Sequence, residues 1–211
     1  MGRIRTLAGV GALIGAFGLV LQYVLIVAQM GGEGASVLEA SWRYFAYFTI
    51  LTNTFVTLVM ARAAWKPESL AGLNAPRVEL MAVTSIVFVG VVYNLLLASR
   101  WDPQGWQKLA DVIVHDIVPV YFALFWLVRP HGSLKWRDAA FAGLWPLGYA
   151  AYGLSRGAFD GFYPYFFMDP TAASWVQIAI NVAGLFLAFM LGALVLIVCS
   201  RALGARAARA A

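Results

Sequence analysis

The stretch LAGVGALIGAFGLVLQYVLIVA, residues 7–28, runs for 22 residues without a charged side chain. A helix rises about 1.5 Å per residue, so this stretch can cross the roughly 30 Å hydrocarbon core of a bilayer. It follows Arg3 and Arg5, as the core of a signal peptide would. It is too long for such a core and lacks a small-x-small cleavage site. We therefore predict a retained transmembrane helix.

The rest of the chain continues this apolar pattern. Of its 211 residues, 62% are hydrophobic and 12% are charged, whereas a soluble domain has about half apolar and about a quarter charged residues. Turn-forming residues separate one apolar run from the next. The sequence thus predicts an all-α integral membrane bundle in one domain, residues 1–211. Its six transmembrane helices are expected at about 7–28, 44–64, 79–99, 109–128, 137–154 and 174–199.

The basic residues indicate how the bundle is oriented. Eleven of the fifteen Lys and Arg residues fall on the side that holds both termini. The other side holds Arg43, Arg100, Lys108 and Arg156. Because Lys and Arg concentrate in cytoplasmic loops, both termini are predicted to be cytoplasmic. The basic residues behind the net charge of +5 are thus explained by the orientation of the helices in the membrane. For this reason no nucleic-acid partner is expected. The Arg- and Ala-rich composition predicts a multi-pass protein of a bacterial inner membrane.

Few residues are available for metal chemistry. The chain has one cysteine, Cys199, and two histidines, His115 and His131. This excludes an intramolecular disulfide and a cysteine cluster, and it leaves too few nitrogen and sulfur ligands for a catalytic zinc site. No metal or cofactor is expected. His131 lies in a Pro-Gly loop, where a solvated side chain is predicted.

The first helix carries small residues at helical spacing. Gly11 and Gly15 form a Gly-x-x-x-Gly pair, and Gly18 lies beyond them. This spacing lets two helix backbones approach closely. Packing inside the bundle is the main expectation, and a homodimer through the Gly11/Gly15 face is the alternative.

Polar side chains gather in the predicted outer half of the bundle, where each is costly to hold in hydrocarbon. They are Thr49, Thr52, Asn53, Tyr93, Asn94, Asp111, His115 and Asp116. Asp111 and His115 are four residues apart and share a helix face, so the carboxylate can orient the imidazole. Pro119 cannot donate a hydrogen bond to the His115 carbonyl and is expected to bend the helix. On the second helix an i, i+4 stripe runs through Ser41, Phe45, Thr49, Asn53 and Thr57.

The outer loop at 160–170 has the sequence DGFYPYFFMDP. Its aromatics and prolines are typical of a stiff amphipathic plug, which would cap or enter the cavity as a lid. An interfacial aromatic belt is the alternative. Asp169 in this loop does not fit an aromatic belt, because it is an acidic residue among aromatic ones.

Three segments resemble the androgen-induced-protein family and its bacterial relatives. They are the stretch SWRYFAYFTILTN at 41–53, His115-x-x-x-Pro119, and Tyr163-Pro164 followed by Asp169-Pro170. The resemblance implies a membrane hydrolase of lipid esters, including fatty acid esters of hydroxy fatty acids, with a threonine nucleophile and a histidine. His115 is similar to the family histidine. Ala46 stands where the nucleophile is expected, and Thr49 lies about one turn further on roughly the same face; Thr49 replaces that nucleophile or the nucleophile is absent.

The resemblance defines a chemical scheme for the polar cluster. Thr49 would be the nucleophile, His115 the base, and Asp111 the residue that orients it, with Asn53 or Tyr93 donating to the oxyanion. Thr52, Asn53, Tyr93, Asn94, Asp116 and Asp169 would contact a lipid-ester substrate taken from the membrane lipids. The alternatives are a non-catalytic protein that binds or transports a lipid or small molecule, and a structural membrane protein.

Overall fold

A computed structural model describes residues 2–129 and 134–210, with side chains as far as residue 204, so His131 lies outside the described residues. The described chain is helical and contains no strand. Its helices are α1 Gly2–Gly32, α2 Val37–Tyr44, α3 Phe48–Trp65, α4 Pro76–Val92, α5 Gly105–Val112, α6 Val118–Leu127, α7 Asp138–Ala142, α8 Leu144–Asp160 and α9 Trp175–Ala210. A π-helical and a 3-10 turn extend α4 to Arg100, and a π-helical turn joins α5 to α6.

Five helices in the described part of the chain are long and apolar enough to cross a membrane. They are Gly2–Gly32, Phe48–Trp65, Pro76–Arg100, Gly105–Leu127 and Trp175–Gly204. The helix predicted at 137–154 differs from these, because it is divided into α7 and α8 at Gly143. A Cβ at Gly143 would contact Phe186 of α9, so the division lies where two helices approach closely. With 17 residues, α8 is shorter than the five candidate spans.

The predicted second helix begins later than expected. A capping box between Ser36 and Glu39 starts the short helix α2, which ends at Tyr44. The chain turns at Phe45–Tyr47, and α3 begins at Phe48. The predicted i, i+4 stripe is therefore wrong in its first part. Ala46 lies in the turn before α3 and shares no helix face with Thr49.

The glycines of α1 face the inside of the bundle. A Cβ added at Gly11 would overlap Met60 and Tyr121, and one added at Gly15 would overlap the Thr57 hydroxyl. The small residues thus let α1 lie directly against its neighbours, as the prediction of internal packing required. A dimer on the same face would need α1 to leave the bundle.

A buried ion pair lies at the end of the bundle where α4 begins. Arg129 donates to both carboxylate oxygens of Glu79, with the shortest contact at 2.8 Å. The guanidinium also donates to the Pro67 carbonyl, and the Asn74 amide donates to Glu79. These groups lie apart from the polar cluster that the sequence predicts around Asp111 and His115. Their mutual pairing explains how they are accommodated, because a buried charge needs a partner and further hydrogen bonds.

Contacts between α2 and α8 hold together the end of the bundle at which α8 ends. The Trp42 indole donates to Asp160 at 2.7 Å. The Arg156 guanidinium lies 3.9 Å from the Trp42 ring centroid and donates to the Trp42 carbonyl. Nearby, Arg43 lies 3.5 Å from the centroid of the Phe162 ring. These contacts anchor the start of the loop at 161–174, whose later residues reach the candidate site.

Candidate functional site

Two π-helical turns face each other at the centre of the site, Tyr93–Leu97 after α4 and Ile113–Ile117 between α5 and α6. A π turn occurs where the helical hydrogen-bond ladder is interrupted, and it is frequent at functional sites. The second turn ends two residues before Pro119, which cannot donate to the His115 carbonyl. A Cβ at Gly90 would lie 3.0 Å from that carbonyl oxygen. The absence of a side chain at Gly90 thus leaves room for the carbonyl that receives no hydrogen bond from Pro119.

Thr49, His115 and Asp111 form a continuous hydrogen-bonded set. Nδ1 of His115 lies 3.1 Å from Oδ1 of Asp111 and 3.1 Å from its carbonyl oxygen. Both partners are acceptors, so Nδ1 carries the proton and Nε2 is free to accept. The Thr49 hydroxyl lies 3.3 Å from Nε2. The three groups therefore form a chain in space: the Thr49 hydroxyl, the imidazole that can accept its proton, and the carboxylate that orients the imidazole.

Tyr93 supports this set from one side. Its ring stacks on the His115 imidazole, with centroids 3.7 Å apart and an interplanar angle of 9°. Its hydroxyl donates to Oδ2 of Asp111 at 2.6 Å. Tyr93 thus fixes both the imidazole and the carboxylate. Because its only proton is directed at Asp111, the hydroxyl is not placed to donate to an oxyanion, which differs from the prediction.

Asn53 was predicted as an oxyanion donor, but its amide bonds two backbone carbonyls. Its amide donates to the Thr49 carbonyl at 2.9 Å and to the Val114 carbonyl at 3.0 Å. The side chain is fully buried and lines neither cavity described below. It therefore ties α3 to the π turn that carries His115. Asn53 positions the site without facing it.

The remaining predicted substrate contacts lie outside the site. Thr52 is fully buried and accepts a hydrogen bond from the Trp145 indole at 3.0 Å. Asn94 donates to Asp116 at 2.8 Å, and neither residue lines a cavity at the site. Asp169 accepts from the Thr171 amide and hydroxyl within its own loop. These hydrogen bonds lower the pKa of Asp169, a half-buried residue of the loop at 160–170.

Two cavities meet at Thr49. One, of about 100 Å³, is lined by apolar side chains of α4, α8 and α9 and by Phe167 and Met168. The other, of about 370 Å³, contains His115 and Asp111 and is more polar. Their common wall consists of Thr49, Tyr93, Leu97 and Tyr165. The hydroxyl of Thr49 is therefore placed between an apolar and a polar compartment.

Several residues of the polar cavity were not predicted as site residues. Gln22 of α1 accepts a hydrogen bond from Gln107 of α5 at 2.9 Å. Arg100 also lines this cavity, stacked 4.1 Å from the centroid of the Phe166 ring. Within residues 2–129 and 134–204, Arg100 forms no ion pair. The sequence predicts Arg100 on the side opposite the termini, but its proximity to the polar cluster depends on the turn that follows α4.

The outer loop contributes to both cavities. Pro164 and Tyr165 line the polar one, while Tyr165, Phe167 and Met168 line the apolar one. Tyr165 is 8% exposed, and its ring centroid lies 6.0 Å from that of Tyr149. This placement is that of a lid over the site. The exposed Phe166 remains compatible with contact to an interface.

The arrangement can activate a hydroxyl for nucleophilic attack, since Asp111 and His115 provide the base that a threonine needs. Among the side chains that the structure describes, no three His, Cys, Asp or Glu residues are grouped to hold a metal ion. No protein-family model matches the chain, and no curated protein sequence or solved structure is significantly similar to it.

Proposed function

We propose that this protein is a membrane-embedded lipid-ester hydrolase that uses Thr49 as its nucleophile and His115 as its general base. The observation that carries the proposal is the 3.3 Å approach of the Thr49 hydroxyl to Nε2 of His115, with Asp111 on Nδ1, at the junction of two cavities. The resemblance of three segments to the androgen-induced-protein family agrees with this chemistry and adds the expectation of fatty acid esters of hydroxy fatty acids.

The proposed reaction has two halves. Thr49 attacks the ester carbonyl carbon while its proton passes to Nε2 of His115. The tetrahedral intermediate then expels the alcohol, which takes the proton from His115 and leaves an acyl-threonine. Water attacks this ester with His115 again as base, and the products are the acid and the restored Thr49. Asp111 holds the imidazole and stabilises the imidazolium that forms in each half.

The two cavities support an ester with one acyl chain and a more polar alcohol part. Phe88, Val92 and Leu147 line the apolar cavity, which suits the acyl chain of the ester because this chain would pass from the lipid into another apolar environment. Gln107 and Arg100 line the polar cavity, which suits the alcohol side of the ester and the attacking water. A membrane lipid is therefore the substrate class we propose.

In this proposal the chain crosses the membrane six times, with α7 and α8 as the fifth pass and both termini in the cytoplasm. The eleven basic residues on the side of the termini support this orientation. The site then opens to the outer leaflet, which in a bacterial inner membrane faces the periplasm. Buried apolar side chains, among them Val56, Met60 and Phe122, argue against transport, because they offer no partner to a polar solute.

The test is hydrolysis of an acyl ester of a hydroxy fatty acid by the purified protein in detergent. We expect turnover that falls at least about 1,000-fold in Thr49→Ala and in His115→Ala, because nucleophile and base act as a unit. Thr54→Val is the matched control, since this hydroxyl donates to the Ile50 carbonyl one turn away and lines neither cavity. Equal turnover by wild type and Thr49→Ala would overturn the proposal.

A further inference from the structure

The first turn of α3 and the outer loop meet at the Thr49 hydroxyl. Thr49 is the second residue of α3, so its backbone N–H has no partner within the helix. Tyr47, which caps this end, makes no side-chain hydrogen bond to it. Leu51 is the first residue whose N–H is bonded back to the cap, at 3.2 Å. This N–H is therefore available to a partner outside α3, beside the proposed nucleophile.

Tyr165 is the loop residue that reaches this place. Its side chain is 8% exposed and lines both cavities together with Thr49. Its ring belongs to a buried cluster against which Phe48, the first residue of α3, and Leu51 pack. A buried phenol needs hydrogen-bond partners, and the first turn of α3, with its free N–H groups, lies beside this one.

We propose that Tyr165 is a catalytic residue whose hydroxyl, together with the Thr49 N–H, binds the carbonyl oxygen of the ester. The ester oxygen enters between these two groups and replaces their present contact. This inference rests on the proposed hydrolase function and adds the oxyanion site that Asn53 and Tyr93 do not provide. It assigns to the loop a role in catalysis in addition to covering the cavities.

The electron movement fits this geometry. When the bond from Thr49 Oγ1 to the carbonyl carbon forms, the π pair of the carbonyl moves onto its oxygen. That oxyanion accepts hydrogen bonds from the Tyr165 hydroxyl and the Thr49 N–H. When the pair returns, the alcohol leaves with the proton held on His115. The same oxygen is stabilised again when water attacks the acyl-threonine.

The phenol keeps its proton under the conditions of the reaction. Burial raises the pKa of Tyr165 to about 12, although hydrogen bonds from Thr49 and from the backbone of Phe48 act in the opposite direction. The group is therefore neutral and able to donate at neutral pH. The positive end of the α3 dipole also favours negative charge at this point.

The experiment compares Tyr165→Phe with Tyr163→Phe in the same loop. Tyr163 lines neither cavity and packs on Gly157. We expect kcat to fall about 100-fold in Tyr165→Phe, with KM changed less than about threefold, because one oxyanion donor is lost. Tyr163→Phe should retain wild-type kcat. Both variants should show the melting temperature of the wild type in detergent.

Equal kcat in Tyr165→Phe, Tyr163→Phe and wild type would overturn the role of Tyr165 and leave the hydrolase proposal standing. An inactive wild type would overturn both. If Tyr165→Phe fails to fold, difluorotyrosine at position 165 replaces it, since it keeps the shape and lowers the pKa of the phenol. The loss of kcat at alkaline pH should then begin at lower pH than in wild type, and an unchanged profile would contradict the inference.

Discussion

The ring of Tyr93 lies flat on the imidazole of His115, with centroids 3.7 Å apart, and its hydroxyl holds Asp111 at 2.6 Å. One side chain thereby fixes the two partners of the proposed nucleophile. The contact joins two π-helical turns, which arise where Pro119 and the end of α4 interrupt regular helices. The geometry of the site is a consequence of these interruptions.

Tyr93→Phe keeps the stacking and removes the hydrogen bond to Asp111. Hydrogen bonds to charged groups contribute about 1.5–3 kcal/mol, so we expect kcat to fall about tenfold while KM stays near its wild-type value. Tyr93→Ala removes the stacking as well and should cost more activity. Steady-state kinetics of the two variants provide the measurement, and equal kcat in both would show that the hydroxyl alone matters.

Asn53→Leu should destabilise the protein. The change removes the hydrogen bond that joins α3 to the Val114 carbonyl and a second one to the Thr49 carbonyl within α3, at a cost of about 1–3 kcal/mol. Unfolding in detergent, followed by thermal melting, should show a lower midpoint than for Thr54→Val, which loses one local bond. A midpoint equal to that of the control would contradict the bridging role.

Gly15→Ala tests the packing of α1. A Cβ at this position overlaps the Thr57 hydroxyl, and overpacking of this kind costs about 1–3 kcal/mol. Gly9→Ala is the matched control, because its Cβ would lie 3.9 Å from Ala64, an ordinary contact. We expect only Gly15→Ala to lower the melting temperature. Unchanged melting accompanied by loss of a dimer would instead place these glycines at an interface between two copies.

Arg100→Gln tests the polar cavity. The guanidinium lines this cavity without an ion pair to any described residue, so a substrate carboxylate can pair with it. For esters with a free carboxylate we expect KM to rise about tenfold, whereas neutral esters should be unaffected. Lys108→Gln, a change of charge outside both cavities, is the control. The same rise in KM for neutral esters would exclude charge recognition.

Part of this structure follows from the sequence. Uninterrupted apolar runs predict long helices, and the four-residue spacing of Asp111 and His115 places them together, as the 3.1 Å contact shows. The stripe from Ser41 to Thr49 was misread because the pattern assumes one continuous helix. The capping box of Ser36 and Glu39 was visible as a sign of a separate helix.

Other features depend on tertiary contacts that no local pattern contains. Asn53 was predicted to face the cavity, but the choice between facing it and bridging two backbones is made by the neighbouring helix. Tyr165 is one of several aromatic residues in its loop, and the sequence does not show which of them reaches the site. The position of the loop depends on tertiary contacts, such as those of Trp42, Arg156 and Asp160 between α2 and α8. The buried pair of Glu79 and Arg129 likewise joins residues far apart in the chain.

The central claim is that Thr49 is a nucleophile activated by His115. Its most direct test is reaction of the purified, folded protein with an alkyl fluorophosphonate, followed by mass spectrometry of the peptide that contains residues 49–53. We predict a phosphonyl adduct on the Thr49 oxygen, with fluoride released. The adduct should be absent in Thr49→Ala and His115→Ala and retained in Thr54→Val. A folded wild-type protein that carries no adduct on Thr49 would contradict the claim.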